Sequence, residues 1–302
     1  MINIKKYAAI DIGSNAVRLL VSDIIEQDDS EEVIFKKNSL VRVPIRLGAD
    51  VFISGSISDF NRKRMVDTMT AFRLLMNAHG VERYKACATS AMREAKNGKD
   101  IAQTILKSAE ISIDIIDGDE EATIIAETDL HTYIDPNKTY LYVDVGGGST
   151  EFSIIHNASK LLSQSFKIGT VRLLNDMVTN DSWRSLENWI KTNTQGFEKI
   201  ELIGSGGNIN KIFKISGKDL GKPLTYFYLT SYYQQLQDYT YEERITKLNL
   251  KEDRADVIIP AMRIYLSAMK WSGAKHIYVP KIGLSDGIIK SMYHEKVSSY
   301  IF

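Results

Sequence analysis

A chain of 302 residues is long for one ordinary domain and carries enough apolar material for two cores. Its composition is 44% hydrophobic and 25% charged, with 38 basic and 38 acidic residues, which argues against a nucleic-acid partner gripped through bulk positive charge. The single cysteine, Cys87, excludes an internal disulfide, an apolar start broken by Asp11 does not read as a signal peptide, and no stretch reaches the length of a membrane helix, so a cytoplasmic protein with no membrane partner is expected.

In chain order, short apolar or alternating runs predict strands at 7–12, 17–25 and 33–43. A helix is predicted over 58–79, stopped by Gly80. The basic run Asn61–Met65 opens this helix and reads as a solvated face. A strand at 84–88 makes Cys87 a core thiol rather than a nucleophile. A helix at 98–109, a strand at 113–116 and a helix at 120–131 follow, and the turn-rich "IDPNKT" at 134–139 reads as a linker. The order then restarts. Strands are predicted at 140–145, 151–156 and 161–166, helices around 170–177 and 182–194, and a strand at 200–203. A helical stretch covers most of 230–269, and the aromatic run at 225–233 reads as packing. A strand at 276–279 and a helix from about Ser285 complete the pattern.

One phrase occurs in both halves, between the first and second strands: "AIDIGSNAV" around Asp11 and "YVDVGGGSTEF" around Asp144. Successive N–H groups at Gly146, Gly147, Gly148 and Ser149 can line one concavity and hold an anion. Gly13, Ser14 and Asn15 offer the same. A third loop, "GSGGNI", contributes Gly206, Gly207 and Asn208 at the start of a helix, where phosphate is favoured. One glycine turn alone is more often a tight hairpin. Three, two of them with an aspartate at the same offset, point to phosphate. Two carboxylates beside phosphate call for a cation between them, and Mg²⁺ suits oxygen ligands, phosphate and water. One cysteine and 5 histidines supply no zinc spacing, and neither a P-loop nor a dinucleotide GxGxxG motif is present.

These turns resemble the phosphate motifs of the actin-like ATPase and sugar-kinase superfamily. The chain is more closely similar to the exopolyphosphatase and guanosine pentaphosphate phosphohydrolase (Ppx/GppA) family, through "AIDIGSNAVRLLV", "VRVPIRLGADVFISGSIS", "CATSAMREAKN", "IIDGDEEATI", "VDVGGGSTEFSI", "IGSGGNI", "RADVIIPA" and "GLSDGII". The resemblance implies an α/β fold of two actin-like (ribonuclease H-like) domains of duplicated βββαβαβα type. Residues 1–132 would form the first, with the final helix 285–302 packing back on it. Residues 133–284 would form the second, with an active-site cleft between the two. It implies Mg²⁺-dependent release of the terminal phosphate of polyphosphate or pppGpp, with a homodimer compatible. Glu121, Glu151, Asp144 and Arg93 would be catalytic, with Glu121 orienting or deprotonating the water. Arg93, Gly13, Ser14, Asn15, Gly146, Gly147, Gly148, Ser149, Gly206, Gly207 and Asn208 would hold substrate phosphate. Asp11, Asp144 and Glu151 would hold the metal.

Without the resemblance, Glu120 and Glu121 are simply acids favoured in a first helical turn, Glu151 is an outward residue on an alternating strand, and Arg93 is a partner for any surface carboxylate. The chain departs from the family pattern at Asn208, Ala261, Ser285 and Asp286. These departures are expected to lie away from the aspartates and bear on substrate detail. A phosphotransferase of the same superfamily and a non-catalytic guanosine tetraphosphate sensor are the rival functions. Intact Glu121 and Arg93 favour the hydrolase over the sensor.

Overall fold

In the computed structural model, which describes residues 1–28, 30–128 and 135–301, contacts divide the chain into two compact units. One joins Met1–Thr128 with Leu284–Phe302; the other is Asp129–Gly283.

The first unit opens with an antiparallel meander of β1 (Ile2–Ile12), β2 (Val17–Gln27) and β3 (Ser30–Val43). Prediction found only the later half of β1. The reason is burial: Ile2 and Ile4 are exposed, while the run from Tyr7 to Ile12 is buried and apolar apart from Asp11. β4 (Arg83–Ala88) lies parallel to β1 on the side away from β2, and β5 (Asp114–Ile115) lies parallel to β4. The spatial order is therefore β3-β2-β1-β4-β5.

The helix Asp59–His79 has both ends encoded locally. The Ser58 side chain accepts the Asn61 N–H, and Gly80, in the left-handed conformation, turns its N–H back onto the Asn77 and Met76 carbonyls. Its basic opening is not wholly a solvated face: Asn61 and Met65 are buried, and the Asn61 amide donates to Asp50 Oδ2 at 2.8 Å. The helix Leu47–Ser54 is not foreseen. It starts from Arg46, a left-handed residue at φ 63°, with no side-chain cap to announce it.

The second unit repeats the plan. β6 (Thr139–Val145), β7 (Thr150–His156) and β8 (Ser159–Phe166) form an antiparallel meander. β9 (Ile200–Ser205) runs parallel to β6. A two-residue strand, β10 (Leu224–Thr225), pairs antiparallel with β11 (His276–Tyr278), which runs parallel to β9. The order is β8-β7-β6-β9-β11-β10, so five strands in each sheet share one arrangement. This is the α/β architecture of duplicated actin-like domains. The second core gathers Leu141, Val143, Phe152, Leu202 and Ile277 under the helices Asn180–Thr194 and Ile258–Ser272. The long helical stretch predicted at 230–269 is four helices: Tyr226–Gln237, Tyr241–Thr246, Glu252–Ala255 and Ile258–Ser272. A capping box between Thr240 and Glu243 restarts the chain, and left-handed Asn249 breaks it again. The aromatic run does pack, through Leu229 and Tyr232, although Phe227 is exposed.

The helix Leu284–Tyr293 packs on the helix Gly118–Ala126 and on β1. Tyr300–Ile301 then pairs antiparallel with β4, and the Tyr300 hydroxyl donates to Asp114 Oδ1 at 2.9 Å. The predicted helix end at 127–131 and the linker start fall partly outside the described residues. No helix among the described residues is long and apolar enough to cross a membrane.

Candidate active site

The first unit brings its candidates to the carboxyl ends of its parallel strands. Asp11 is the penultimate residue of β1, and the turn Gly13–Asn15 closes with the Gly13 N–H on the Ala16 carbonyl at 3.1 Å. That turn is clamped from behind: Gly48 N–H donates to the Ser14 carbonyl at 2.8 Å and Arg46 N–H to the Asn15 carbonyl at 3.1 Å. A planar peptide whose carbonyl is tied on one side presents its N–H on the other, the arrangement an anion needs. Ser14 Oγ lies 2.9 Å from Ser90 Oγ, joining the turn to the short helix Ser90–Glu94 that carries Arg93. Arg93 NH1 donates to the Ile116 carbonyl at 2.6 Å, and Ile116 N–H to the Ala88 carbonyl at 3.0 Å. Arg93 is thus held one residue before Asp117, the N-cap of the helix Gly118–Ala126, whose first turn bears Glu120 and Glu121. Glu120 is exposed and Glu121 half-buried. Cys87, on β4, is fully buried, and burial pushes its thiol up to about 12, so it stays protonated and inert.

The second unit places Asp144 and Glu151 directly opposite each other on β6 and β7. In an antiparallel pair opposed side chains share a face, so the two carboxylates stand side by side. Glu151 is buried, and its Oε1 accepts the hydroxyls of Ser149 at 2.6 Å and Ser165 at 2.9 Å. In the first unit the position opposite Asp11 is Arg18, whose NH1 donates to Asp11 Oδ2 at 2.8 Å. The repeated phrase has therefore diverged at one matching site, arginine in one half and glutamate in the other.

The loop Gly146–Ser149 is bolted down by the segment that follows β8. Thr170 N–H donates to the Gly146 carbonyl at 3.0 Å, Val171 N–H to that of Gly147 at 2.8 Å, and Arg172 Nε to that of Gly148 at 2.7 Å. With three consecutive carbonyls tied behind, the N–H edge faces the other way. Gly206 joins the end of β9 to the helix Gly207–Ile215. It takes φ 114°, and a side chain there would sit 2.9 Å from the Val145 carbonyl and 3.4 Å from Asp144 Oδ1. Contrary to expectation, then, the departure at Asn208 lies only two residues beyond a glycine packed against Asp144, in the first turn of that helix. Asn208 is nearly buried, and its Oδ1 has no hydrogen-bond partner among the described residues.

Three arginines escape the sequence-based selection. Arg18 faces Asp11. Arg172 is buried behind the triple-glycine loop. Arg254 lies so close to Gly207 that a Cβ there would meet both terminal guanidinium nitrogens at 2.7 Å. Lys211, one helical turn on, has its pKa lowered by burial and then by the charges of Lys214 and Arg254, which marks a cationic corner beside this loop. The signal for Arg254 and Arg18 lay inside motifs quoted for the family; for Arg172 there was none.

Among the described residues no group of three or more His, Cys, Asp or Glu comes together as a metal-binding set. The opposed pair Asp144 and Glu151 is what one unit supplies. One or two carboxylates, completed by phosphate and water, is the donor set Mg²⁺ takes.

Comparison with known proteins identifies the family. The description "Ppx/GppA phosphatase family" covers a match to residues 24–296. A putative exopolyphosphatase of Haemophilus influenzae is 24% identical across 96% of this chain and 92% of its own length. A guanosine-5'-triphosphate,3'-diphosphate pyrophosphatase of Photobacterium profundum is 26% identical across 95% of this chain and 59% of its own. The chain spans 32% of the length of one curated relative it matches, a bifunctional 3-dehydroquinate synthase/phosphatase of Fusobacterium nucleatum, and 92% of the Haemophilus influenzae relative. An exopolyphosphatase structure from Cytophaga hutchinsonii superposes with a TM-score of 0.82 at 25% identity, covering 96% of this chain and 98% of the other. With a family match that runs over nearly all of its residues, the chain belongs to the Ppx/GppA phosphatase family.

Proposed function

We propose that this protein is a phosphoanhydride hydrolase that releases the terminal phosphate of inorganic polyphosphate or of guanosine pentaphosphate. One observation carries the reading: the loop Gly146–Ser149, its carbonyls tied behind, stands beside the carboxylate pair Asp144 and Glu151. Relatives named exopolyphosphatase and guanosine pentaphosphate pyrophosphatase support it. In the second unit the N–H edge of Gly147, Gly148 and Ser149, with Gly206, Gly207 and Asn208, would cradle phosphate oxygens. In the first unit Gly13, Ser14, Asn15 and the Arg93 guanidinium would do the same.

Asp144 and Glu151 would hold Mg²⁺, with Asp11, already engaged by Arg18, the weaker donor. Bound Mg²⁺ would neutralise the charge that develops on the phosphoryl oxygens. Glu121 would accept a proton from the water as its oxygen bonds to phosphorus. The bond from phosphorus to the bridging oxygen breaks, and the shortened chain leaves with the electron pair.

The test is phosphate release from polyphosphate and from pppGpp, side by side, with Mg²⁺ and after EDTA. Release from at least one substrate, abolished by chelation and restored by Mg²⁺, is expected. No release from either under any divalent metal overturns the hydrolase reading, and full turnover in metal-free buffer overturns the metal.

A further inference from the structure

Behind the phosphate loops of the second unit lies a residue that touches neither glycine phrase in sequence. Tyr265 sits in the middle of the helix Ile258–Ser272 and is fully buried. Its hydroxyl donates to the Ser205 carbonyl, the last residue of β9. Val145, the last residue of β6, ends beside it: the Val145 carbonyl oxygen lies 2.9 Å from the Cβ position of Gly206. β6 and β9 are parallel neighbours whose ladder ends at the pair Asp144 and Ser205. Beyond that pair the strands part, one into Gly146–Ser149 and the other into Gly206–Asn208. The phenol oxygen stands at this fork and ties down the end of β9. It also lies 3.4 Å from the Cβ position of Gly206, the same distance as Asp144 Oδ1. Burial, and after it the Asp144 charge, raises the Tyr265 pKa well above that of a free phenol, so the oxygen keeps its proton and remains a donor.

A buried hydroxyl is costly unless paired, and this one is paired with backbone that leads into the site. We propose that Tyr265 is a positioning residue for the phosphate site: its hydroxyl pins the end of β9 where it parts from β6, and so fixes Gly206 and the turn that follows it against Asp144. This inference rests on the phosphate-site reading above for its kinetic consequence, and on the geometry alone for its structural one.

Tyr265→Phe keeps the ring and removes the pin, leaving the Ser205 carbonyl without this partner. The full chain is measured in two ways. Amide hydrogen exchange of the unliganded protein should quicken at 205–208 by roughly tenfold or more, while exchange elsewhere in the unit holds. Phosphate release should lose about tenfold to a hundredfold in kcat, the scale on which small displacements of catalytic groups act, with KM moving less than about threefold. Tyr232→Phe is the control. It deletes another buried phenol of the same unit, whose hydroxyl has no partner among the described residues, and should leave both readouts unchanged. Unchanged exchange at 205–208 overturns the proposal, as does uniform quickening across the unit, which a merely structural residue would give. If the wild type releases no phosphate at all, the functional reading fails and the exchange experiment still decides the role of Tyr265.

Discussion

On the helix Gly118–Ala126, Glu120 is exposed and Glu121 half-buried. Adjacent helical residues point about 100° apart, at roughly 3.6 residues per turn, so one water cannot be served by both. Glu121→Gln keeps size and polarity but cannot take a proton. It should lower kcat by roughly 10²–10⁴-fold, with substrate binding retained or tightened as a negative charge near phosphate is removed. Glu120→Gln should change the rate little. Steady-state phosphate release of both variants checks this, and a dead Glu120→Gln beside a live Glu121→Gln would reverse the assignment. The two glutamates, the aspartates and the glycine phrases are legible in sequence because their chemistry is contiguous along the chain. Arg172 and Tyr265 are not, because what distinguishes them is the carbonyl each one touches, and those lie far away in sequence.

The loop Gly146–Ser149 owes its shape to the segment Ile168–Arg172 more than to its own glycines. Thr150 Oγ1 donates to the Ile168 carbonyl at 2.5 Å, and the backbone N–H groups of Thr170 and Val171 follow onto the loop carbonyls. Gly169 stands between, with an ordinary φ of −134°, so its demand is for space rather than for a left-handed backbone. A Cβ there would lie 2.4 Å from the Gly147 carbonyl oxygen. Gly169→Ala should therefore push the loop off its seat, costing about 1–3 kcal/mol of stability and most of the activity. Gly196→Ala, where φ is 97° but nothing lies within 4 Å, should cost stability alone. Urea unfolding and phosphate release on both variants separate the two effects. At this scale, elements with local punctuation are legible, such as Asp59–His79 between Ser58 and Gly80. The helix Leu47–Ser54 is not, because its start depends on Arg46 held by a turn about thirty residues upstream.

Across the whole molecule, the repeated phrase marks a repeated sheet order, with the first unit finished by residues from the far end of the chain. The closest approach there is backbone to backbone. A Cβ on Gly287 would meet the Ile124 carbonyl oxygen at 2.1 Å, so the helix Leu284–Tyr293 and the helix bearing Glu121 touch through that glycine. Gly287→Ala should force them apart, costing about 3 kcal/mol and lowering activity by moving Glu121. Gly283→Ala, whose added Cβ would find Ser205 Oγ nearest at 3.9 Å, should be close to neutral. The urea midpoint and kcat of the pair measure this. Duplication is legible at this scale because it repeats a phrase. The pairing of Tyr300–Ile301 with β4 is not, since a two-residue strand with Ile301 exposed carries no periodic signal.

That return of the chain has a consequence for how the protein is made. The second unit is one uninterrupted stretch, and the first is written in two pieces. At synthesis rates of roughly 5–20 residues per second, the first piece waits on the order of ten seconds or more for its partner. Through that interval the helix that carries Glu121 lacks the cover of Leu284–Tyr293, and β4 lacks Tyr300–Ile301 along its edge. The half translated first is therefore completed after the second, and the surface around Ile124 stays uncovered until Leu284–Tyr293 emerges.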